Sequence, residues 1–190
     1  DGAAAARFRA AHGIAPARPV ALFVGRVAHE KNIGFLLAMA AEAVKRRPDL
    51  LLLVAGEGPA LPALRAQAAR LGLGEAVRFT GYLDRHRDLP DCYAAADVFV
   101  FASRTETQGL VLLEAMAVGL PVVAFAEMGT IDILAPRQGC RVPAEDPAAF
   151  ADSVVEILSD PALRAQLGRE ARDYARSWSD ETMAARLADL

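Results

Sequence analysis

The regular alternation of short apolar runs with longer segments of helical periodicity constrains this chain most. The runs that predict strands are 20–25, 50–55, 77–81, 97–101, 121–125 and a short 140–142. The segments that predict helices are 31–47, 60–71, 89–95, 109–118, 147–158, 161–178 and 180–190. Continuously apolar strands separated by helices are typical of a parallel sheet covered on both faces. We therefore predict an α/β fold with a doubly wound, mainly parallel, Rossmann-like sheet.

Length and composition fit one folded domain. The 190 residues are 54% hydrophobic and 24% charged, which argues against disorder. We expect a single domain over 1–190, in which 1–18 are the remnant of a connection between domains and 179–190 form a C-terminal helix. The first residue is Asp1 rather than methionine, so we expect the chain to be cut from something longer.

Charge and hydropathy exclude several classes of protein. A net charge of −3 disfavours nucleic-acid binding. No apolar run reaches the roughly 18 residues of a membrane span, and no signal-peptide pattern occurs. Two isolated cysteines, Cys92 and Cys140, indicate a reducing compartment and are interpreted as small core residues. These features predict a cytoplasmic location.

The loop after the first strand carries two cations. Parallel sheets bind ligands at the carboxyl ends of their strands, and Arg26 follows the first strand while Lys31 opens the next helix. A lysine is unfavourable at a helix N-terminus unless an anion is shared with the helix end. The pair therefore indicates a phosphate site, and a solvated turn balanced by Glu30 is the alternative.

The loop after the second strand contains two glycines, Gly56 and Gly58. It resembles the start of a dinucleotide fingerprint, but Leu61 stands where the third glycine belongs. A tight strand-to-helix turn is therefore favoured over NAD binding. The glycines still allow a ligand to approach the backbone closely.

The loop after the fourth strand carries two acids. Glu106 lies in the loop, and Glu114 lies one turn into a helix that is apolar nearly all round and is expected to be buried. A carboxylate there needs partners, and sugar hydroxyls would supply them. Free N–H groups near Gly109 and Leu110 would favour an anion in the same cleft. The alternative is that both acids only compensate the helix dipole. That interpretation explains Glu106 fairly well and Glu114 poorly.

The chain contains no Asp-x-Asp pair and no Walker loop, and its three histidines have no zinc-ligand spacing. We expect no bound metal and no cofactor. If a diphosphate is bound, Arg26, Lys31 and a helix end would have to meet its charge, which is a consistent scheme for a departing nucleoside diphosphate.

Several motifs together resemble the GT-B retaining glycosyltransferases of family 4. These are Gly-Arg followed by Glu-Lys at 25–31, Val-Ala-Gly-Glu-Gly-Pro at 54–59 and Phe-Thr-Gly-Tyr-Leu at 79–83. Gly-Leu-Val-Leu-Leu-Glu-Ala-Met-Ala at 109–117 falls within the acid–seven residues–acid pattern from Glu106 to Glu114. The resemblance covers nearly the whole chain and implies the C-terminal, donor-binding half of a GT-B architecture.

The resemblance also implies residue roles. Arg26 and Lys31 would hold the diphosphate of a nucleotide sugar, with the backbone of Gly109 and Leu110. Glu114 would bind the ribose, and Glu106 would be the catalytic group beside the donor sugar. Five residues would lie near the base or the sugar: Gly58, Tyr82, Leu83, Thr107 and Gln108.

The family transfers a sugar to an acceptor hydroxyl with retention of the anomeric configuration. We expect a UDP-sugar rather than a GDP-sugar, and a lipid or glycan acceptor. The acceptor site belongs to an absent N-terminal domain, which would also provide any peripheral association with the cytoplasmic membrane face. The fragment alone is expected to be inactive.

Some positions depart from the family pattern. Asn32 stands where glycine is frequent, and Thr107-Gln108 replaces a small residue and a phenylalanine. Two alternatives remain: a nucleotide-sugar epimerase-like domain, for which no separate acid–base set is evident, and a nucleotide-binding module without catalysis. The joint presence of Arg26, Lys31, Glu106 and Glu114 argues against the module.

Overall fold

The computed structural model describes residues 2–178 and contains one six-stranded sheet in which every pair of neighbouring strands is parallel. The strands are β1 (Val20–Val24), β2 (Leu51–Ala55), β3 (Val77–Gly81), β4 (Val98–Phe101), β5 (Val122–Ala124) and β6 (Cys140–Arg141). The predicted Rossmann-like fold is confirmed. The sheet is parallel throughout these residues rather than mainly so.

Eight α-helices flank the sheet within the described residues. They are α1 (Gly2–Ala11), α2 (Ile33–Ala43), α3 (Leu61–Arg70), α4 (Asp88–Ala94), α5 (Leu110–Ala117), α6 (Ile131–Leu134), α7 (Pro147–Ser159) and α8 (Pro161–Arg176). Asp146 and Asp160 cap α7 and α8 by accepting backbone N–H bonds, and a proline follows each cap. The short α6 was not predicted, and the helix predicted at 180–190 lies outside the described residues.

The helix that follows β1 begins later than predicted. His29–Lys31 form a 3-10 turn, Asn32 adopts a left-handed conformation, and only then does α2 start at Ile33. The helix also ends at Ala43 rather than near Arg47. Lys31 therefore lies in the turn before the helix and not in its first turn.

The strand order is β3-β2-β1-β4-β5-β6. The chain builds outward from β1 in one direction, then returns and builds outward from β4 in the other. β1 and β4 are therefore neighbours at the point where the direction reverses. Ligands of such sheets bind at this switch point, outside the carboxyl ends of the strands.

The core is apolar on both sides of the sheet. All five residues of β2 are buried, and the rings of Phe23, Phe99 and Phe101 lie in contact along β1 and β4. Cys92 and Cys140 are buried free thiols, which confirms their interpretation as core residues. A sheet buried on both faces leaves only its edges and loops for function.

Helix α1 packs against the rest of the domain. It packs on α4, and Arg7 makes two hydrogen bonds of 3.1 Å to the carboxylate of Asp91. The assignment of 1–18 to a connection between domains stays a prediction. Within residues 2–178, no helix combines the length and the hydrophobicity that crossing a membrane requires.

Candidate functional site

A groove of about 260 Å³ opens at the carboxyl ends of β1, β2 and β3. Its lining residues come from the three strand ends, the following loops and the start of α4: Val24, Gly25, Arg26, Ala55, Gly56, Glu57, Tyr82, Leu83 and Leu89. Three predicted site residues, Arg26, Tyr82 and Leu83, therefore share one groove. Tyr82 is 70% exposed, so its ring is available to stack on a ligand.

The backbones of two loops, here the β1 loop (25–32) and the β2 loop (56–60), are joined beside this groove. The Val27 N–H donates to the carbonyl of Glu57 at 2.9 Å, and the Ala60 N–H donates to the carbonyl of Val27 at 3.0 Å. A Cβ on Gly58 would lie 2.2 Å from the Val27 carbonyl oxygen. Gly58 thus permits close contact between the loops, and its predicted place near the base or sugar stays untested.

Lys31 and Glu106 meet across the switch point. The Lys31 Nζ donates to Glu106 Oε2 at 2.8 Å, and both side chains are about four-fifths buried, with exposures of 20% and 18%. This ion pair joins the β1 loop to the β4 loop, which we define as residues 102–109. The sequence placed both residues at the carboxyl edge, and the structure brings them into contact.

The Glu106 carboxylate is also held by backbone. Its Oε1 accepts N–H bonds from Gln108 at 3.4 Å and from Gly109 at 3.3 Å. Burial alone would raise the pKa of Glu106, but the bonds from Lys31 and from the Gly109 N–H outweigh it, and the net pKa lies below its ordinary value. Glu106 is therefore an ionised carboxylate at neutral pH.

The structure explains why asparagine can stand at position 32, where glycine is frequent in the family pattern. Its φ of 52° lies in the left-handed region, which asparagine tolerates better than most residues that carry a Cβ. The Asn32 side-chain amide donates to the carbonyl of Ala102 at 3.2 Å. Asn32 thus supplies both the turn and a second link between the β1 and β4 loops.

Arg26 is an exposed cation at the rim of the groove. Within residues 2–178 we find no hydrogen bond or ion pair to its guanidinium. A guanidinium presents a planar fork that suits phosphate oxygens. Arg26 is therefore free to contact a ligand in the groove, whereas Lys31 must exchange or share its bond with Glu106.

Glu114 is held by two side chains that the sequence analysis missed. Arg85 donates to its Oε1 at 2.7 Å, and the Tyr93 hydroxyl donates to its Oε2 at 3.1 Å. A buried tyrosine hydroxyl usually finds a hydrogen-bond partner. This tendency is what could have indicated from the sequence that Tyr93 bonds a polar group. Arg85 gave no local signal, because it lies 29 residues from Glu114 in an irregular loop.

The expectation that α5 is buried all round is wrong. Leu112, Ala115 and Met116 are buried, but Leu110 is 56% exposed and the Glu114 side chain is 35% exposed. Leu110, Glu114 and Ala117 follow the i, i+4, i+7 spacing of one helix face, so α5 has an outer face as well as a buried one.

The remaining predicted residues lie at this end of α5. Thr107 and Gln108 are exposed in the β4 loop, and Gly109 is a left-handed residue that directly precedes α5. Glu106 takes up the Gly109 N–H in this structure. Of the residues described, no cluster of three or more histidine, cysteine or acidic side chains is arranged to hold a metal ion.

Known protein sequences match this chain over most of its length. The family model "Glycosyl transferases group 1" matches residues 5–174. A GDP-mannose-dependent alpha-(1-6)-phosphatidylinositol monomannoside mannosyltransferase from Mycolicibacterium smegmatis is 36% identical over 199 aligned residues, covering 100% of this chain and 52% of that protein. The chain spans about half the length of the curated relatives that it matches.

Solved structures show the same fold. WaaG, a glycosyltransferase involved in lipopolysaccharide biosynthesis, superposes with a TM-score of 0.82 at 27% identity, over 97% of this chain and 50% of that one. The C-terminal domain of a glycosyl transferase group 1 family protein from Francisella tularensis superposes with a TM-score of 0.73 at 25% identity, over 84% of each chain. The match over most of the chain and the paired loops at the switch point lead to one conclusion: this chain belongs to the glycosyl transferases group 1 family.

Proposed function

We propose that this chain is the nucleotide-sugar-binding domain of a retaining glycosyltransferase, which transfers a sugar from a nucleoside diphosphate to an acceptor hydroxyl. The observation that carries the proposal is the contact between Lys31 and Glu106 at the switch point, where Lys31 belongs to the same loop as Arg26, which borders the groove. It brings the Lys31 ammonium, to which we assign phosphate binding, within one hydrogen bond of an ionised carboxylate. Retention of configuration rests on the motif resemblance.

Each residue has a defined task in this proposal. Arg26 and Lys31 neutralise the diphosphate as it departs, together with the N-terminal end of α5 at Gly109 and Leu110. Glu106 lies beside the donor sugar, where its negative charge stabilises positive charge that develops on the reacting carbon. No protein-held metal or further cofactor is proposed, because Arg26, Lys31 and the N-terminal end of α5 are assigned to the leaving group.

We expect Glu114 to accept hydrogen bonds from the ribose hydroxyls, and Tyr82 and Leu83 to lie against the base. The exposed Thr107 and Gln108 are assigned to the vicinity of the sugar. Uracil is our prediction for the base of the donor. The name of the M. smegmatis relative specifies GDP-mannose for that protein, so guanine is the alternative that an experiment must compare.

We assign the binding site of the acceptor to the proposed partner domain. A lipid or glycan hydroxyl is the expected acceptor class, and the M. smegmatis relative's name specifies a phosphatidylinositol monomannoside for that protein. A cytoplasmic location, at the membrane face if the partner domain binds lipid, completes the proposal.

The first test is a calorimetric binding panel. UDP, GDP, ADP and inorganic pyrophosphate are titrated into the 190-residue chain with and without EDTA. We expect one nucleoside diphosphate to bind more tightly than pyrophosphate, and chelation to leave its affinity unchanged. Failure of every nucleoside diphosphate to bind would refute the proposal.

Lys31→Ala should weaken that affinity by about 1.5–3 kcal/mol, because it removes a charge-assisted hydrogen bond and leaves Glu106 without its cation. Lys45→Ala is the matched control, since Lys45 is the second of the two lysines and its exposed side chain pairs with Glu42. Equal affinities for the two variants would remove Lys31 from the site.

The isolated chain should not transfer sugar from a labelled donor to any acceptor, since acceptor binding is assigned to a second domain. Co-expression with an N-terminal domain of the same family is the positive control. Transfer by the purified chain alone would show that it is a complete enzyme.

A further inference from the structure

The Glu114 carboxylate has one fixed partner and one exchangeable partner. Tyr93 lies on α4 and is only 4% exposed, and its ring contacts that of Phe99 at 6.1 Å between centroids. The phenol cannot turn into solvent without disturbing this packing. The packing therefore holds the phenol in the position from which it donates to Glu114 Oε2 at 3.1 Å.

The bond on the other oxygen has the opposite character. Arg85 reaches Glu114 Oε1 from a loop, and the Arg85 side chain is 73% exposed. An ion pair with so exposed a cation is weak, because water solvates the free guanidinium well. Arg85 can therefore leave Oε1 at little cost, whereas Tyr93 stays on Oε2.

A carboxylate needs a set orientation to accept two hydroxyls from one ribose. The terminal torsion of a glutamate is broad, so an unrestrained carboxylate samples many orientations. A single fixed hydrogen bond to one oxygen restricts that rotation and directs the other oxygen. Burial, together with the negative charge of Glu114, raises the pKa of Tyr93, so its hydroxyl remains a donor at neutral pH.

We propose that Tyr93 is a positioning residue, which fixes the Glu114 carboxylate so that Oε1 receives the ribose hydroxyls once Arg85 has left. This inference rests on the proposed function, in which Glu114 binds ribose. Tyr93 itself does not touch the ligand. It acts by reducing the orientational freedom that Glu114 would otherwise lose on binding.

The test compares UDP with 2′,3′-dideoxy-UDP on Tyr93→Phe, or the corresponding GDP pair if GDP binds more tightly. The wild-type chain should favour the ribose form by at least tenfold, which is the range for a hydrogen bond to a charged group. Tyr93→Phe should weaken UDP binding about five- to tenfold and leave the dideoxy affinity unchanged. The preference for the hydroxyls therefore falls while general binding persists.

Two further variants separate positioning from a structural effect. Tyr174→Phe removes a tyrosine hydroxyl that bonds the Asp132 carbonyl at 3.4 Å, its one hydrogen bond within residues 2–178, and should leave the preference unchanged. In a Glu114→Gln background, Tyr93→Phe should cause little additional loss of preference, because the two residues act through one carboxylate. An equal weakening of both ligands by Tyr93→Phe would show a structural role and overturn the inference.

A measurement on the unmutated sequence makes the test independent of the folding of a variant. The chain is labelled with 3-fluorotyrosine, and the three tyrosines give three ¹⁹F resonances; Tyr82→Phe and Tyr174→Phe assign two of them and leave that of Tyr93. The Tyr93 resonance should shift with UDP and stay in place with the dideoxy analogue. An unchanged resonance, with UDP bound, would also overturn the positioning role. If no nucleoside diphosphate binds at all, the proposed function fails and this inference falls with it.

Discussion

Asn32 shows how one residue can serve backbone and side chain together. Its left-handed φ turns the chain from the 3-10 turn into α2, and its amide reaches the β4 loop. Glycine satisfies the first requirement only. The departure from the family pattern at this position is therefore a gain of one inter-loop hydrogen bond without loss of the turn.

Substitution of Asn32 should separate these two contributions. Asn32→Gly keeps the left-handed turn and loses the hydrogen bond, so we expect a loss of about 1 kcal/mol in the free energy of unfolding. Asn32→Ala adds left-handed strain, which brings the loss to about 2 kcal/mol. Urea denaturation measures both, and an alanine variant as stable as the glycine variant would contradict this explanation.

Glu106 should make stability depend on pH. Its folded pKa is lowered, so its ion pair stabilises the fold fully above the ordinary glutamate pKa and loses that effect as pH falls through the lower folded value. Glu106→Gln should cost roughly 1 kcal/mol at pH 7, and the difference should shrink toward zero in strong acid. Unfolding curves from pH 7 to strong acid test this.

Glu75→Gln is the control for the pH series, because the Glu75 side chain is 92% exposed. Its difference from wild type should stay small and constant across the series. A constant Glu106→Gln difference would mean that the ion pair with Lys31 does not stabilise the fold.

The sequence predicted that Lys31 and Glu106 lie at one edge, but not that they touch. Strand ends of a parallel sheet share an edge whatever the strand order, whereas contact requires β1 and β4 to be neighbours. Local patterns carry no information on that order. The partners of Glu114 were missed for a related reason, since 21 and 29 residues separate Tyr93 and Arg85 from it.

At the scale of elements, strands were predicted better than the ends of helices. The apolar run of β2 matches its buried strand to within one residue. Helix α2, in contrast, was predicted two residues early and four residues late, because the apolar pattern reveals neither the left-handed conformation of Asn32 nor the turn after Ala43. Periodicity detects the buried face of a segment but not the backbone conformation at its ends.

The junction of the β1 and β2 loops should not tolerate a side chain at Gly58. A Cβ there would overlap the Val27 backbone, with the carbonyl oxygen at 2.2 Å and the carbonyl carbon at 2.7 Å. We expect Gly58→Ala to lower the free energy of unfolding by about 2 kcal/mol or more, as for other overpacked sites. It should also weaken nucleoside diphosphate binding in the adjacent groove.

Gly2→Ala is the matched control, since a Cβ on Gly2 meets no atom within 4 Å. It should leave stability and binding unchanged or slightly improve the helix. Wild-type binding by a stable Gly58→Ala variant would show that the loop junction does not shape the groove.

At the scale of the whole molecule, Asp97 ties distant elements together at the edge opposite the site. Its carboxylate accepts from the Val20 N–H at 2.9 Å and from Arg9 and Arg164 at 3.1 Å each. These groups belong to β1, α1 and α8. One side chain thus connects the first helix, the last described helix and the central sheet.

Asp97→Ala should therefore destabilise the whole domain without affecting the site. We expect a loss of about 2–3 kcal/mol, because two guanidinium groups and one backbone N–H lose a common acceptor. Asp152→Ala, which removes an exposed partner of Arg46, should cost less than about 1 kcal/mol. Thermal unfolding measures both, and an unchanged nucleoside diphosphate affinity at 20 °C is expected for each. A binding defect in Asp97→Ala would link the two edges of the sheet.

The backbone bonds between the β1 and β2 loops have a consequence for the energetics of recognition. The Val27 N–H already donates to the Glu57 carbonyl, and the Ala60 N–H to the Val27 carbonyl, before any ligand arrives, so the groove is preorganised and little conformational entropy remains to be lost there. Amide protons at Val27 and Ala60 should then exchange slowly with solvent in the free domain. Nucleotide binding should slow them only slightly, and its larger protective effect should fall on the β4 loop.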